Sequence, residues 1–379
     1  MAACISARAD YVDITGEPEF MENMELKYNA AAEAAGVLIV SSCGFDSIPA
    51  DIGTIFAVDT LRRTGALATS VESYLTIHPS PQVRTRRTGS TGNAPRRRSS
   101  LPPPLPPPPA QGLKVNYATY ESAVEGFGSA GVLQRIRKAY TAAHPEKVVP
   151  FGRPLARRRA LWWDAVPAAW CIPFPGSDAS VVRRTQRLML QHPEATAAGD
   201  VPVDGGAPAT ARLVPIAYAA HAVIQSTFAV ALLLVLGTLL ALLAQFAPGR
   251  RLLKAYPGLF SYGVFSREGP TAEQIAGTSF DVLLVARGYR GATPDTLPRG
   301  GAVAPPPDAE VRVRVAGPEP GYAATSLMVS SAALTVLEER SAIPYAGGVL
   351  TPGAAFRGTG LIRRLRDGGM TFTDMAARP

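Results

Sequence analysis

From Phe228 to Ala247 the chain reads FAVALLLVLGTLLALLAQFA, without a charged side chain, and Arg250, Arg251 and Lys254 follow at once. Only Thr238 and Gln245 interrupt it with polar groups. At about 1.5 Å of helical rise per residue, such a run covers roughly the 30 Å of a bilayer's hydrocarbon. An ordinary surface helix shows one apolar stripe, and here every face is apolar. The competing reading is a fully buried helix of a large domain; the length of the run favours a helix embedded in lipid.

The rest of the 379 residues has globular composition, 47% hydrophobic and 18% charged, long enough for two domains. A formal net charge of +8 raises the question of nucleic acid. The excess is gathered in short clusters, Arg84, Arg86 and Arg87, Arg96 to Arg98, Arg157 to Arg159, and Arg250 with Arg251. Few aromatics interleave with them, which argues against a nucleic-acid partner, and beside an apolar helix they suit anionic headgroups. Cys4, Cys43 and Cys171 stand far apart without CxxC spacing, and His78, His144, His192 and His221 are equally scattered. Neither a disulfide framework nor a metal site is expected from them, and a reducing cytosolic setting fits. Asp10 and Asp13 fall where a signal peptide would need its apolar core.

The pattern predicts a strand at Tyr11 to Thr15, a turn at Gly16 and Pro18, a helix from about Glu19 to Ala35 capped by Gly36, and a buried strand at Val37 to Ser42. A second helix is expected from Ile52 to Arg63 and a β-like run from Ser70 to His78. Residues 79–112 combine arginine, serine and a proline run, a composition that cannot bury a core and reads as a disordered or polyproline II insertion. An SH3 or WW ligand and an unspliced intron are the alternatives for it. A strand near Val115 then leads into a helix with a glycine-containing break and a basic end; residues 145–178 read as irregular, and Ser180 to Leu190 as helix or strand. Two antiparallel strands are expected at Ser279 to Tyr289 and Glu310 to Gly317, with helices at Ala323 to Glu339 and Leu361 to Asp367.

Seven strings occur in the order of one family: YVDITGEPEFMENMELKY, GFDSIPADIG, SAVEGFGSAGVLQRIRK, IPFPGSDASVVRRTQR, GPTAEQI, GPEPGYAAT and AGGVLTPGAAF. Together they resemble the saccharopine dehydrogenase-like oxidoreductases, which include lipid-droplet-associated animal proteins and bacterial trans-acting enoyl reductases. The resemblance covers most of the chain outside residues 79–111. It implies an α/β fold, with a partial Rossmann-type parallel sheet followed by an α+β substrate domain that carries a hydrophobic membrane-associated helix. The expected division is a residual Rossmann-like part at 1–78, the insertion at 79–112, and a substrate or dimerisation-like domain at 113–379 with the apolar helix at 228–247.

The family's cofactor site begins with a glycine-rich strand–turn–helix, which this sequence lacks, so roughly the first hundred family residues are expected to be missing. Either the gene model starts at an internal methionine or the cofactor site has been lost. The resemblance implies NAD(P) as cofactor, and the chain as written is expected to bind it poorly or not at all. GFGSAG at Gly126 to Gly131 has the letters of a dinucleotide loop but follows a helical run.

Candidate cofactor-binding residues are Gly16, Glu17, Gly44, Phe45, Asp46 and Ser47, at two strand ends where open α/β sheets place ligands. Plain turn chemistry at Asp13, Gly16 and Glu17, and helix capping by Asp46 and Ser47, are the alternatives. Hydride transfer to an enoyl or imine carbon also needs a proton donor, for which Tyr117, Tyr120 and Glu121 are the weak candidates, with half-buried core as the other reading. Arg183 and Arg184 either meet an acidic group or form a solvated basic face. The expectation is an NAD(P)-linked oxidoreductase of lipid metabolism at a membrane or lipid droplet, facing the cytosol from droplet or endoplasmic reticulum. Its expected partners are the lipid surface and a lipid-like substrate, and a homodimer is compatible with it. The alternative is a non-catalytic lipid-surface protein that keeps the fold.

Overall fold

The computed structural model describes residues 1–79, 112–128, 130–143, 148–193, 214–299 and 304–376, so all but the two ends of the expected 79–112 insertion lie outside the described residues. In chain order the elements are α1 (Ala2–Ala7), β1 (Tyr11–Val12), α2 (Pro18–Ala35), β2 (Leu38–Val40), α3 (Ile48–Arg63), β3 (Ala66–His78), β4 (Val115–Asn116), α4 (Tyr117–Gly128) and α5 (Ala130–Ala143). There follow β5 (Trp162–Asp164), β6 (Ala169–Pro173), α6 (Asp178–Gln191), β7 (Ala217–Ile224), α7 (Thr227–Ala244), α8 (Ala247–Ala255), α9 (Pro257–Phe260), β8 (Phe265–Ser266), α10 (Ala272–Gly277), β9 (Ser279–Arg290) and β10 (Ala309–Pro318). A π-helical turn at Pro320–Ala324 leads into α11 (Thr325–Glu338), then β11 (Gly348–Leu350), α12 (Pro352–Phe356), α13 (Leu361–Asp367) and β12 (Thr371–Asp374).

Three short parallel strands form the first sheet, in the order β1-β2-β11. The second has seven strands in the order β12-β10-β9-β3-β7-β6-β5, antiparallel except for the pair β3 and β7. Mixed α/β architecture with a parallel sheet is thus present. The sheets cross the expected boundary near residue 78 in both directions. β3 belongs to the seven-stranded sheet, and β11, from near the far end of the chain, completes the parallel one. One continuous core joins them, from Leu38 and Val40 on β2 through α3 to Leu284 and Val313 on β9 and β10.

Several local expectations hold because the chemistry is local. Gly36 ends α2 at φ +66 with its N–H on the carbonyls of Ala32 and Glu33. β9 and β10 pair antiparallel, Leu284 opposite Val313, as their alternation requires. Other elements differ. β1 is shorter than expected, ending at Val12, and beyond it the Asp13 carboxylate accepts the N–H groups of Thr15 and Ser42, each at 3.0 Å. Residues taken as irregular form the hairpin β5–β6, fastened by Trp163 and Trp170 at 5.7 Å. Ser180 to Leu190 is wholly helical, within α6. The alanine-rich β7 carries little strand propensity and is held as a strand by β3 and β6 on either side.

Candidate functional site

Beyond the carboxyl ends of β1 and β2 the loops that follow the strands come together, and their meeting place, called the crevice below, carries several of the family strings. Loop 13–17 and loop 41–47 face each other there. Asp13 ties them together, accepting from Thr15 and Ser42 backbone N–H groups and from Ser41 Oγ at 3.2 Å. Ser42 sits at φ +66, a conformation unfavourable for a side-chain-bearing residue and therefore held by its surroundings. The third wall is the π-helical turn. Glu319 caps it by accepting from the N–H groups of Gly321, Tyr322 and Ala323 at 2.8, 2.6 and 3.2 Å. Thr325 Oγ1 accepts the Phe45 N–H at 3.1 Å. α4 forms the fourth wall, through Ser122 donating to Glu17 at 2.9 Å and Asn116, just ahead of the helix, donating to the Tyr322 hydroxyl at 2.8 Å.

The two glycines singled out from sequence have a different purpose from either one expected. Neither Gly16 nor Gly44 has positive φ. A Cβ on Gly16 would lie 2.4 Å from Asp46 Oδ2, and one on Gly44 would lie 3.1 Å from Thr325 Cγ2 and 3.2 Å from Ile14 Cβ. They are small so that the loops can close on each other, and the space they release is filled by protein.

The expected capping of α3 by Asp46 and Ser47 is not what forms. Ser47 occupies the cap position without a side-chain bond to the helix; its hydroxyl donates to the Asp46 carbonyl and lies 3.3 Å from Ser177 Oγ. Ser177 donates to the same carbonyl at 3.0 Å. Asp46 keeps an exposed face toward the crevice while the surrounding protein pushes its carboxyl above the usual range.

Below this floor lie two acids that the sequence did not mark. Asp178, the end of the stretch read as irregular, is buried with Oδ1 unpartnered, and burial, with Asp46 and Asp51 nearby, holds it well above the usual carboxylate range. Asp51 is raised by burial from 3.8 to about 6, against the opposing pull of Thr185, the Gly353 N–H and Arg184. Its Oδ2 accepts from Thr185 Oγ1 at 2.8 Å and Gly353 N–H at 2.7 Å. Because the folded chain holds this proton more tightly than the unfolded one, the stability it lends is fully present below pH 3.8 and is lost as pH rises through about 6. Two pKa units correspond to about 3 kcal/mol. Chemical denaturation of Asp51→Asn across pH 4 to 8 is expected to show a flatter stability profile than the parent; an unchanged slope would mean that another group titrates there.

Tyr117, Tyr120 and Glu121, the proton-donor candidates, lie on α4 and not on a strand. Tyr120 is buried against Val124, Ala244, Leu253 and Phe265, and burial, then Tyr117, raises its hydroxyl to about 12. Glu121 lies 3.5 Å from Lys254 on α8. These residues dock the apolar helix. Tyr117 lies under Arg267, with the guanidinium carbon 4.2 Å from the ring centroid. Arg183 is exposed, whereas Arg184 is buried in an ion cluster with Arg187 around Glu25, at 2.7 and 2.5 Å. Tyr140 on α5 donates to the same carboxylate at 2.6 Å, so α2, α5 and α6 are locked together there. A charged residue that faces inward on an amphipathic helix gives no sequence signal until its partner is known.

Gly126 and Gly128, in the string with dinucleotide letters, fall inside α4, with α5 following, so the turn is preceded by a helix and not by the strand that a pyrophosphate cradle requires. Among the described residues no His, Cys, Asp and Glu gather as metal ligands.

No protein-family model matches the sequence. Curated relatives do. The saccharopine dehydrogenase-like oxidoreductase of Homo sapiens is 36% identical over 372 residues, 98% of this chain and 72% of that protein. A probable mitochondrial saccharopine dehydrogenase-like oxidoreductase of Arabidopsis thaliana is 31% identical, covering 98% and 74%. A lipid droplet localized protein of Caenorhabditis elegans is 30% identical, with the same coverage.

Proposed function

Since this chain belongs to the saccharopine dehydrogenase-like oxidoreductase family, we propose that it is a lipid-surface oxidoreductase whose crevice receives the reacting end of a lipid-like substrate. The observation that supports this most is the position of α4. Its Ser122 donates to Glu17 while its Tyr120 and Val124 pack against the apolar helix α7, so one helix joins the strand-end loops to the surface that would meet lipid.

NADH or NADPH would supply a hydride to an enoyl or imine carbon, which is the reaction class the family implies. The nicotinamide end of such a cofactor would meet the loops that follow β1 and β2, in the manner of a residual Rossmann-type sheet. Nothing among the described residues offers a cradle for its pyrophosphate. Of this chain's own residues we assign the proton-handling role to Asp46, which is exposed at the strand-end loops and whose carboxyl burial raises above its ordinary value. The lipid droplet localized relative supports a droplet surface, and the name of the probable mitochondrial relative points to a competing compartment.

The test is NADH- and NADPH-dependent reduction of enoyl thioesters and imines presented in lipid vesicles. Gly16→Ala separates crevice from fold. The added methyl displaces the far end of the Asp46 side chain and no backbone, so stability should change by less than about 1 kcal/mol while turnover falls at least about tenfold. Equal turnover in parent and variant would remove Asp46 from the chemistry. A non-catalytic lipid-surface protein is the second reading, favoured by the want of a pyrophosphate cradle, and the absence of turnover with either nucleotide would select it.

A further inference from the structure

The apolar segment has three physical solutions: it crosses a bilayer, it packs against another protein, or it lies within one leaflet. Its ends decide between the first and the last. α7 spans 18 residues, about 27 Å of helix. At its start Val230 is 6% exposed, close to the end of β7; at its finish Ala244 is fully buried against Tyr120 and Leu253. Between these points Leu234 and Val235 are 53% and 67% exposed. Both ends therefore rest on the same folded body, and the middle faces away from it.

Crossing is incompatible with that arrangement. α4 holds the far end of α7, yet it also reaches Glu17 through Ser122, and the adjacent Asn116 holds Tyr322. If α7 crossed, the crevice would have to stand on both sides of the hydrocarbon. The chain instead turns back at once after Ala244, whose carbonyl accepts from Arg250 of α8 at 2.9 Å.

The edges of the exposed surface have the chemistry of a lipid–water boundary. Phe228 and Phe246 are exposed at the two ends of α7, and Tyr256 and Tyr262 are exposed beyond α8. Tyrosine rings settle at headgroup level, and phenylalanine rings enter the apolar layer just beneath it. Arg251 is exposed on α8 and has no acidic partner among the described residues, which suits an anionic headgroup. A protein partner would be expected to match an apolar patch with a bounded polar rim; a surface apolar over a whole helix, edged by aromatics and a free cation, matches lipid.

We propose, building on the lipid-surface reading above, that α7 and α8 form a monotopic anchor lying in the plane of a single phospholipid leaflet, with both flanks of α7 on the side of the crevice. The anchor then holds the crevice mouth at headgroup height, where a lipid chain can remain in hydrocarbon while its polar end enters.

The experiment uses the full chain with Cys4→Ser, adding Gln225→Cys, Val235→Cys or Gln245→Cys singly, bound to sealed phospholipid vesicles or to triacylglycerol droplets coated with one phospholipid layer. A membrane-impermeant maleimide reads accessibility. Expected are equal flotation with vesicles and droplets, full labelling of Cys at 225 and 245 from outside, and at least about tenfold slower labelling at 235 than in free protein. Labelling at 225 with protection at 245 until detergent is added, or binding to bilayers alone, would overturn the one-leaflet geometry and leave the lipid-surface reading intact. Flotation with neither, or unchanged labelling at 235, would overturn that reading with it.

Discussion

Glu25→Ala is expected to destabilise the fold by about 3–5 kcal/mol, because it leaves Arg184 and Arg187 buried without their counter-charge. The carboxylate accepts from Arg184 Nε at 2.7 Å, Arg187 Nη2 at 2.5 Å and the Tyr140 hydroxyl at 2.6 Å. Removing it strips three donors at once, at the point where α2, α5 and α6 meet. The stacked contact of Arg187 on Tyr140, with the guanidinium carbon 4.0 Å from the ring centroid, survives but cannot replace a charge. Denaturant midpoints of parent and variant measure the loss. A change under about 1 kcal/mol would mean that water or an alternative acid reaches the arginines. Glu22 is the nearest such acid, and it already accepts from Arg137 and Ser180.

Leu234→Asp combined with Val235→Asp should release the protein from lipid while leaving its stability in water nearly unchanged. Both side chains are exposed in the folded chain, so no core contact is lost. In the hydrocarbon each carboxylate costs about 2.5–3.5 kcal/mol, roughly a hundredfold in partitioning apiece. Vesicle flotation of the double variant should accordingly fall to background. Retained flotation with native thermal stability would place the lipid contact elsewhere, α11 being the other apolar helix long enough with its preceding turn to be considered.

Those two sites differ in how far the sequence revealed them. The apolar helix was legible because a run of apolar residues without charge is a local fact, and so were the Gly36 cap and the β9–β10 pair. The acids and arginines around Glu25 were not, since their meaning depends on three helices converging. The same holds for Asp51 and Asp178, which looked like a loop residue ahead of a helix and the end of an irregular stretch. Tyr120 carried two readings, proton donor and half-buried core, and it lies buried beneath α7. Gly16 and Gly44 were correctly placed at the strand ends, but their smallness answers to Asp46, Ile14 and Thr325, which no spacing rule could supply. β11 could not be assigned to the first sheet from its own three residues, because a parallel neighbour may come from any distance along the chain.

The oxidoreductase reading rests finally on whether these residues hold a reduced nicotinamide at the ends of β1 and β2. Titrating the chain into reduced nicotinamide mononucleotide and into NADPH, with the intrinsic fluorescence of the reduced ring as signal, tests that directly. The account predicts weak binding of both with similar affinity, weakened further by Gly16→Ala, because the crevice engages the nicotinamide end and the described residues provide no cradle for the rest. NADPH binding that is far tighter than the mononucleotide and lost in Gly126→Ala or Gly128→Ala would contradict it by showing a phosphate site at α4, and no binding of either would leave the crevice without a cofactor.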